Sequence, residues 1–184
     1  MGRRTLAVVW CAIWLAASLP LSVGAQAERT VFLLSARGPL TPAMAEYLDR
    51  GLALAEQEEA GAVILQLDTP GGSVELMNRM VQAIRGSRVP VIVYVAPRGA
   101  MAASAGTVIT LAGHAAAMAP ETAIGAASPV GSQGEDLGET IEAKVKEILK
   151  ATVRGLASRR GPEAVALAEA TIDEARAVSS EEAM

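Results

Sequence analysis

An α/β layered fold with a parallel sheet is what the sequence predicts, and three observations predict it. Short apolar runs of strand length alternate with stretches of helical period, and the runs at 62–67 and 89–95 each lead into a glycine-rich turn. Such alternation places strands side by side through right-handed helical crossovers. The 184 residues, 51% of them apolar, suffice for one domain with a substantial core.

In chain order, Thr30 to Ser35 (TVFLLS) reads as a buried strand. Thr41 is suited to cap a helix running to about Glu59, with Pro42 at its first position, where a missing N–H costs nothing. Ala62 to Leu67 (AVILQL) is a second strand and ends in Asp68-Thr69-Pro70-Gly71-Gly72, a turn no helix or strand could contain. Ser73 to Arg85 follows as a helix and Val89 to Val95 as a third strand. A loop of tiny residues, Ala96 to Gly106, then leads into a helix through Leu111. Short strands are expected near Ala115 to Met118 and Thr122 to Ile124, and Gly125 to Gly138 reads as a mobile loop. Helical period returns from Glu139 to Arg159, with Ile141, Val145, Ile148, Leu149, Thr152 and Leu156 on the expected apolar face. Ser179 and Glu182 have the spacing of a capping box, the start of a helix with no body, as if the chain were truncated.

The first 27 residues are of another kind. Arg3 and Arg4 precede an apolar run from Leu6 to Leu21 and a small-residue exit at Ala25-Gln26-Ala27. This is the order of a secretory signal peptide; a retained membrane anchor is the alternative. Either way residues 28–184 are expected to form one exported domain. The single cysteine, Cys11, falls in the leader, so the remaining domain has neither a disulfide nor a thiol nucleophile. Aromatic residues make up only 3%, the net charge is -4, and charges of both signs are mixed. These features argue against a nucleic-acid surface.

Chemistry is expected where the two glycine-rich turns follow their strands, in the crevice beyond the strand ends. Gly71 and Gly72 let backbone N–H groups approach a ligand closely. Ser104 lies among Ala102, Ala103, Ala105 and Gly106; opening a helix, it would leave the Ala105 amide as an unpaired donor at the positive end of the dipole. The plainer reading is a small-residue helix start packed on a strand. A serine nucleophile needs a base. The single histidine, His114, lies ten residues on, roughly 15 Å away at the helical rise, and is better read as structural. Lysine can serve if burial lowers its pKa. The chain has three, Lys144, Lys146 and Lys150; the helical wheel puts only Lys144 on the flank of the expected apolar face. A snorkelling lysine is the alternative there.

Three segments carry a family resemblance: Asp68 to Gly72; Pro97 to Thr107 with its Ala-Ala-Ser-Ala-Gly core; and Met118-Ala119-Pro120 followed by Ile124 to Val130. Together they closely resemble the peptidase domain of NfeD-type membrane proteins, members of the ClpP/crotonase superfamily. The resemblance covers nearly everything from Thr30 to Met184. It implies a ClpP-like spiral of βαβ units with flanking helices, Ser104 as nucleophile, and oxyanion-hole amides at Gly72 and Ala105. Counting back from Gly161 of the Leu156 to Gly161 stretch, it implies Lys144 as base, with Lys146 second. It further implies a homodimer or larger assembly without cofactor, cleavage within apolar segments, and a stomatin-like membrane protein as substrate and partner. A crotonase-like acyl-CoA enzyme and a decayed membrane scaffold are the other readings. No Gly-Lys-Ser/Thr phosphate loop is present, and nothing suggests an ATPase partner.

Overall fold

The computed structural model describes residues 30–131 and 134–183. The expected leader at 1–27, with Cys11, lies outside the described residues. Four parallel strands form the main sheet in the order β1 (Val31–Arg37), β2 (Ala62–Asp68), β3 (Val91–Val95) and β5 (Ala115–Met118). The helices α1 (Pro42–Gln57), α2 (Val74–Gly86) and α3 (Ala105–Ala112) are the crossovers. Thr41 caps α1 through its hydroxyl, which accepts from the Met44 N–H, and Ser73 caps α2 through the Leu76 N–H.

Neighbouring strands that follow one another, all joined with the same hand, bring every crossover helix to one face of the sheet. Burial records this. Val63, Leu65 and Leu67 of β2 and Val91, Val93 and Val95 of β3 are fully buried, while Ile64, Gln66, Ile92 and Tyr94 between them are half-buried. The expectation of a buried first strand is corrected accordingly: Leu33 is 61% exposed and Val31 52%, because no helix among the described residues covers their face. Each fully buried Val or Leu contributes about 1.5–3 kcal/mol, so the covered face holds the fold together.

A second, smaller sheet was only partly legible. It orders β4 (Met101–Ala103), β6 (Ala123–Gly125) and β7 (Ala177–Ser179), with β4 parallel and β7 antiparallel to β6. The third layer is α4 (Glu139–Ala157), a 3-10 turn at Ser158–Arg160, and α5 (Pro162–Asp173). Arg160 links this layer to α3: its guanidinium donates to Leu111 O at 2.7 Å and Gly113 O at 3.1 Å, capping the carbonyl end of the helix. Desolvation, with Arg85 nearby, lowers the pKa of Arg160.

The capping box at the end of the chain does form, Ser179 N–H to Glu182 Oε2 at 2.9 Å and Glu182 N–H to Ser179 Oγ at 3.3 Å. It closes a turn, with Ser179 ending β7. Among the described residues no helix is long and apolar enough to cross a membrane.

Candidate active site

Ser104 stands between β4 and α3, where the chain turns from strand to helix within one residue. Its φ of 55° and ψ of -121° are those of a side-chain-bearing residue held in a sparsely populated region, at about 1–3 kcal/mol. Such a strand-to-helix elbow lifts a hydroxyl out of the backbone and exposes it to a reactant. The strain persists because hydrogen bonds fix both sides of the turn. Ser104 N–H donates to Gly125 O at 2.9 Å, and Ala103 N–H donates to Thr69 O at 3.0 Å. Thr69 N–H donates to Met101 O at 2.7 Å.

Two buried threonines complete the support. Thr107 Oγ1 lies 2.9 Å from Ala102 O and 3.0 Å from Gly125 O, and accepts from Gly125 N–H at 3.0 Å, joining β4, α3 and β6 beneath the serine. Thr69 Oγ1 accepts from Gly71 N–H at 3.0 Å and sets the glycine turn against the elbow. Both were within the motifs read from the sequence. Their task was not legible, since a hydroxyl that pins a backbone looks the same in one dimension as any other.

The glycine turn touches the nucleophile. Gly71 has φ +112°, and a Cβ there would lie 2.8 Å from Ser104 Cβ. Gly106 is required for a different reason: a Cβ on it would meet Thr69 Cγ2 at 2.6 Å, so only glycine lets α3 sit this close to the turn. Neither the Gly72 nor the Ala105 amide donates a hydrogen bond within the described residues. Ala105 is the first residue of α3, at the positive end of the helix dipole.

Ser104, Gly72 and Ala105 line one cleft of about 270 Å³. Its walls are apolar, with Met77 from α2, Val108 from α3, Val145 and Leu149 from α4, and Pro129 and Val130 from the loop at 126–131. Ser128 in the same loop donates its hydroxyl to Ile172 O at 2.6 Å, and Ala127 N–H donates to Thr171 O at 2.8 Å, so α5 anchors this wall. A larger cavity of about 430 Å³ lies elsewhere, between α3, β5 and α5. The hydroxyls of Thr107, Thr110 and Thr171 in its lining are engaged with main-chain oxygens, and it offers no activated nucleophile.

The lysines differ from expectation. Val145, Leu149, Val153 and Ala157 form the inward face of α4, whereas Ile141 is 57% and Ile148 67% exposed. The apolar face is therefore rotated from the one drawn through those isoleucines. The expectation that Lys144 is the lysine placed to be buried is thereby corrected: Lys144 is exposed, beside cleft-lining Val145. Lys146 and Lys150 are half-buried against α5. Lys146 pairs with Glu142 at 2.7 Å, and Lys150 pairs with Asp173 at 2.8 Å and Glu147 at 3.1 Å. Asp173 and Glu147, led by the hydrogen bond to Asp173, raise the Lys150 pKa, the opposite of what a base at neutral pH requires.

His114 sits just before β5, and its Nδ1 accepts the Val91 N–H at 3.1 Å, which fixes the neutral tautomer with the proton on Nε2. Desolvation, then Arg85 and Arg159, lower its pKa. It is a structural residue, as expected. Among the described residues no group of histidine, cysteine and carboxylate side chains could hold a metal ion.

Residues 30–183 match the family described as NfeD1b, N-terminal domain. The chain belongs to the NfeD1b N-terminal domain family. Membrane-bound protease PH1510 of Pyrococcus horikoshii is 41% identical over 160 residues, which cover 86% of this chain and 36% of the relative. The chain thus spans about a third of that relative's length. A solved structure of the 1510-N membrane-bound stomatin-specific protease, a lysine-to-alanine mutant in complex with a substrate peptide, has TM-score 0.77 and 38% identity, covering 85% of this chain and 72% of its own. A serine-to-alanine mutant of the same protease has TM-score 0.77 and 37% identity, covering 85% and 76%. ClpP1 from Listeria monocytogenes, at 19% identity and TM-score 0.62 over 83% of this chain and 84% of its own, shares the fold. The NfeD family assignment and the ClpP-like α/β fold expected from the motifs both stand.

Proposed function

We propose that this NfeD-family domain is a serine endopeptidase in which Ser104 attacks a peptide carbonyl. The carrying observation is the strained elbow that presents Ser104 into an apolar cleft beside the free amides of Gly72 and Ala105. In this mechanism the hydroxyl proton passes to neutral Lys144 as Oγ bonds to the carbonyl carbon. The amides of Gly72 and Ala105 hold the oxyanion, and Lys144 then gives the proton to the leaving amine. Water hydrolyses the resulting acyl-enzyme, with Lys144 again as base.

Lys144 is favoured over Lys146 because Lys146 is committed to Glu142 on the α5 side of the helix, whereas Lys144 is adjacent to Val145 at the cleft. Solved relatives described as serine-to-alanine and lysine-to-alanine mutants of a protease are consistent with this pair. The walls of the cleft suit an apolar segment of substrate. A stomatin-like protein is the proposed substrate and partner, since the 1510-N protease is described as stomatin-specific and membrane-bound. The leader at 1–27 is proposed to export the domain at 28–184, either as a cleaved signal or as an anchor, and to place its cleft on the extracytoplasmic side of the membrane.

Labelling with a fluorophosphonate and hydrolysis of an apolar peptide test the reading together. Ser104→Ala should abolish both, and Lys144→Ala should abolish turnover while circular dichroism stays unchanged. Turnover by folded Ser104→Ala refutes the nucleophile, and turnover by Lys144→Ala refutes the base. Binding without hydrolysis in the unaltered protein would leave the scaffold reading in its place.

A further inference from the structure

The sheet face that no helix among the described residues covers is graded along its strands. Leu33, Ile64 and Ile92 stand in register as an apolar row, with Val31 one step before them. The next row is Ser35, Gln66 and Tyr94, where the Ser35 hydroxyl donates to Gln66 Oε1 at 3.3 Å. Arg37 and Asp68 close the face as an ion pair at 3.0 Å. Apolar side chains thus lie where the strands begin and charged ones where they end, with a tyrosine between. A parallel sheet seldom leaves such a face to water. A face that docks on protein has its apolar residues at the centre of a polar rim. One that enters a bilayer is ordered by depth instead, with aromatic residues of polar tip at the boundary.

Two further features mark the same end. The chain enters the domain there: nine residues, 22–30, link the apolar run Leu6–Leu21 to β1, a reach of at most about 30 Å. With that run in a bilayer, the start of β1 is held near the lipid surface. Basic residues gather at this end as well. Arg85 lies in the last turn of α2, Arg88 just before β3, and Arg159 beside the Arg160 that caps α3; all of them are exposed. On the α1 side Arg88 is offset, since it pairs with Glu56 at 3.5 Å and Glu58 and Glu59 end the helix. Arg85 and Arg159 make no ion pair among the described residues. After desolvation, these two arginines lower the pKa of His114, the mark of a positive field lacking a counter-charge.

We infer that the strand-start end of the main sheet rests on an anionic bilayer, with Val31, Leu33, Ile64 and Ile92 in its interface and Arg85 and Arg159 on the phosphate headgroups. The cleft then opens away from the lipid. The glycine turn beside Ser104 follows Asp68, about 13 Å further along β2 than Ile64 at about 3.3 Å per residue. An apolar substrate segment therefore has to leave the hydrocarbon before it is cut. That consequence rests on the proposed role of Ser104; the docking stands on the graded face, the entry of the chain and the arginines.

The test uses the full chain with its single cysteine removed by Cys11→Ser and one new cysteine at a time, Leu33→Cys, Arg37→Cys or Ile148→Cys, labelled with bimane. All three positions are exposed, so the fold should survive, and circular dichroism checks it. Each protein is bound to vesicles of phosphatidylcholine and phosphatidylglycerol, and its fluorescence is quenched by a headgroup-level lipid nitroxide or by aqueous iodide. The lipid nitroxide should quench position 33 strongly and positions 37 and 148 little, with iodide in the reverse order. Ile148, 67% exposed, controls for adhesion by any open apolar side chain. Omitting phosphatidylglycerol, or combining Arg85→Glu with Arg159→Glu, should weaken the lipid quenching at position 33. Lipid quenching that is absent at position 33, or equal at 33 and 148, overturns the inference. Shelter of position 33 from both quenchers overturns it in favour of a protein cover, the leader or a second copy. Quenching indifferent to phosphatidylglycerol and to the two arginines overturns their part in it. Absence of peptide turnover refutes the peptidase reading alone, because quenching is read without catalysis.

Discussion

Replacing Gly71 by alanine sets a methyl group against the proposed nucleophile. The added Cβ would stand 2.8 Å from Ser104 Cβ and 3.2 Å from both Ser104 Oγ and Ala103 O. Carbon atoms rest at about 3.5–4.0 Å, so the serine has to retreat by roughly 0.7 Å or more. A misplacement near 1 Å costs about 100-fold in rate. The backbone adds its own penalty, about 1–2 kcal/mol for a side chain held at φ +112°. Gly38 separates the two effects: its φ is +92°, yet a Cβ there meets no atom within 4 Å. Gly38→Ala should therefore lose about 2–8 °C in Tm for a domain of this size, and Gly71→Ala more, because its clash adds to the same backbone penalty. Only Gly71→Ala should lose roughly 100-fold in the rate of fluorophosphonate labelling. Equal labelling rates in the two folded variants would refute the placement of Ser104 against the glycine turn.

Ser104→Gly should be inactive yet more stable than Ser104→Ala by about 1 kcal/mol, because glycine adopts the positive φ without strain; thermal melts of the two decide it. Arg160→Met should lower stability by about 1–2 kcal/mol by uncapping Leu111 O and Gly113 O, and Arg160→Lys should recover only part, since an ammonium lacks the planar fork. His114 is held below its ordinary 6.5, so the folded state binds its proton less readily than the unfolded chain. Its contribution is present above pH 6.5 and lost as pH falls through the lowered folded value; Tm should drop more steeply on acidification than in His114→Asn.

Local chemistry made much of this molecule legible. The Thr41 cap, the apolar β2 and β3 and the glycine turn at 71–72 each express a preference that a few neighbouring residues satisfy among themselves. The tiny residues around Ser104 pointed to a loop opening a helix for the same reason, and bulk at Gly106 would meet Thr69; the strand Met101–Ala103 within that loop was not legible. Periodicity served less well for α4, where six apolar positions spread over more of the helix than one face can bury. The sequence offered Ile141 and Ile148 as readily as Val153, and contact with α3 and α5 made the choice.

By itself, then, the sequence determined the alternation of strands and helices, the Thr41 cap, the glycine turn and the serine at the head of a helix, because each depends on contacts within a few residues. Tertiary structure alone decided that the helices among the described residues cover one face of the sheet, that Thr69 and Thr107 hold the elbow, and that Lys144 is exposed. Those outcomes depend on which surfaces meet across tens of residues, and a period of 3.6 or of two states that a face exists without stating what lies against it.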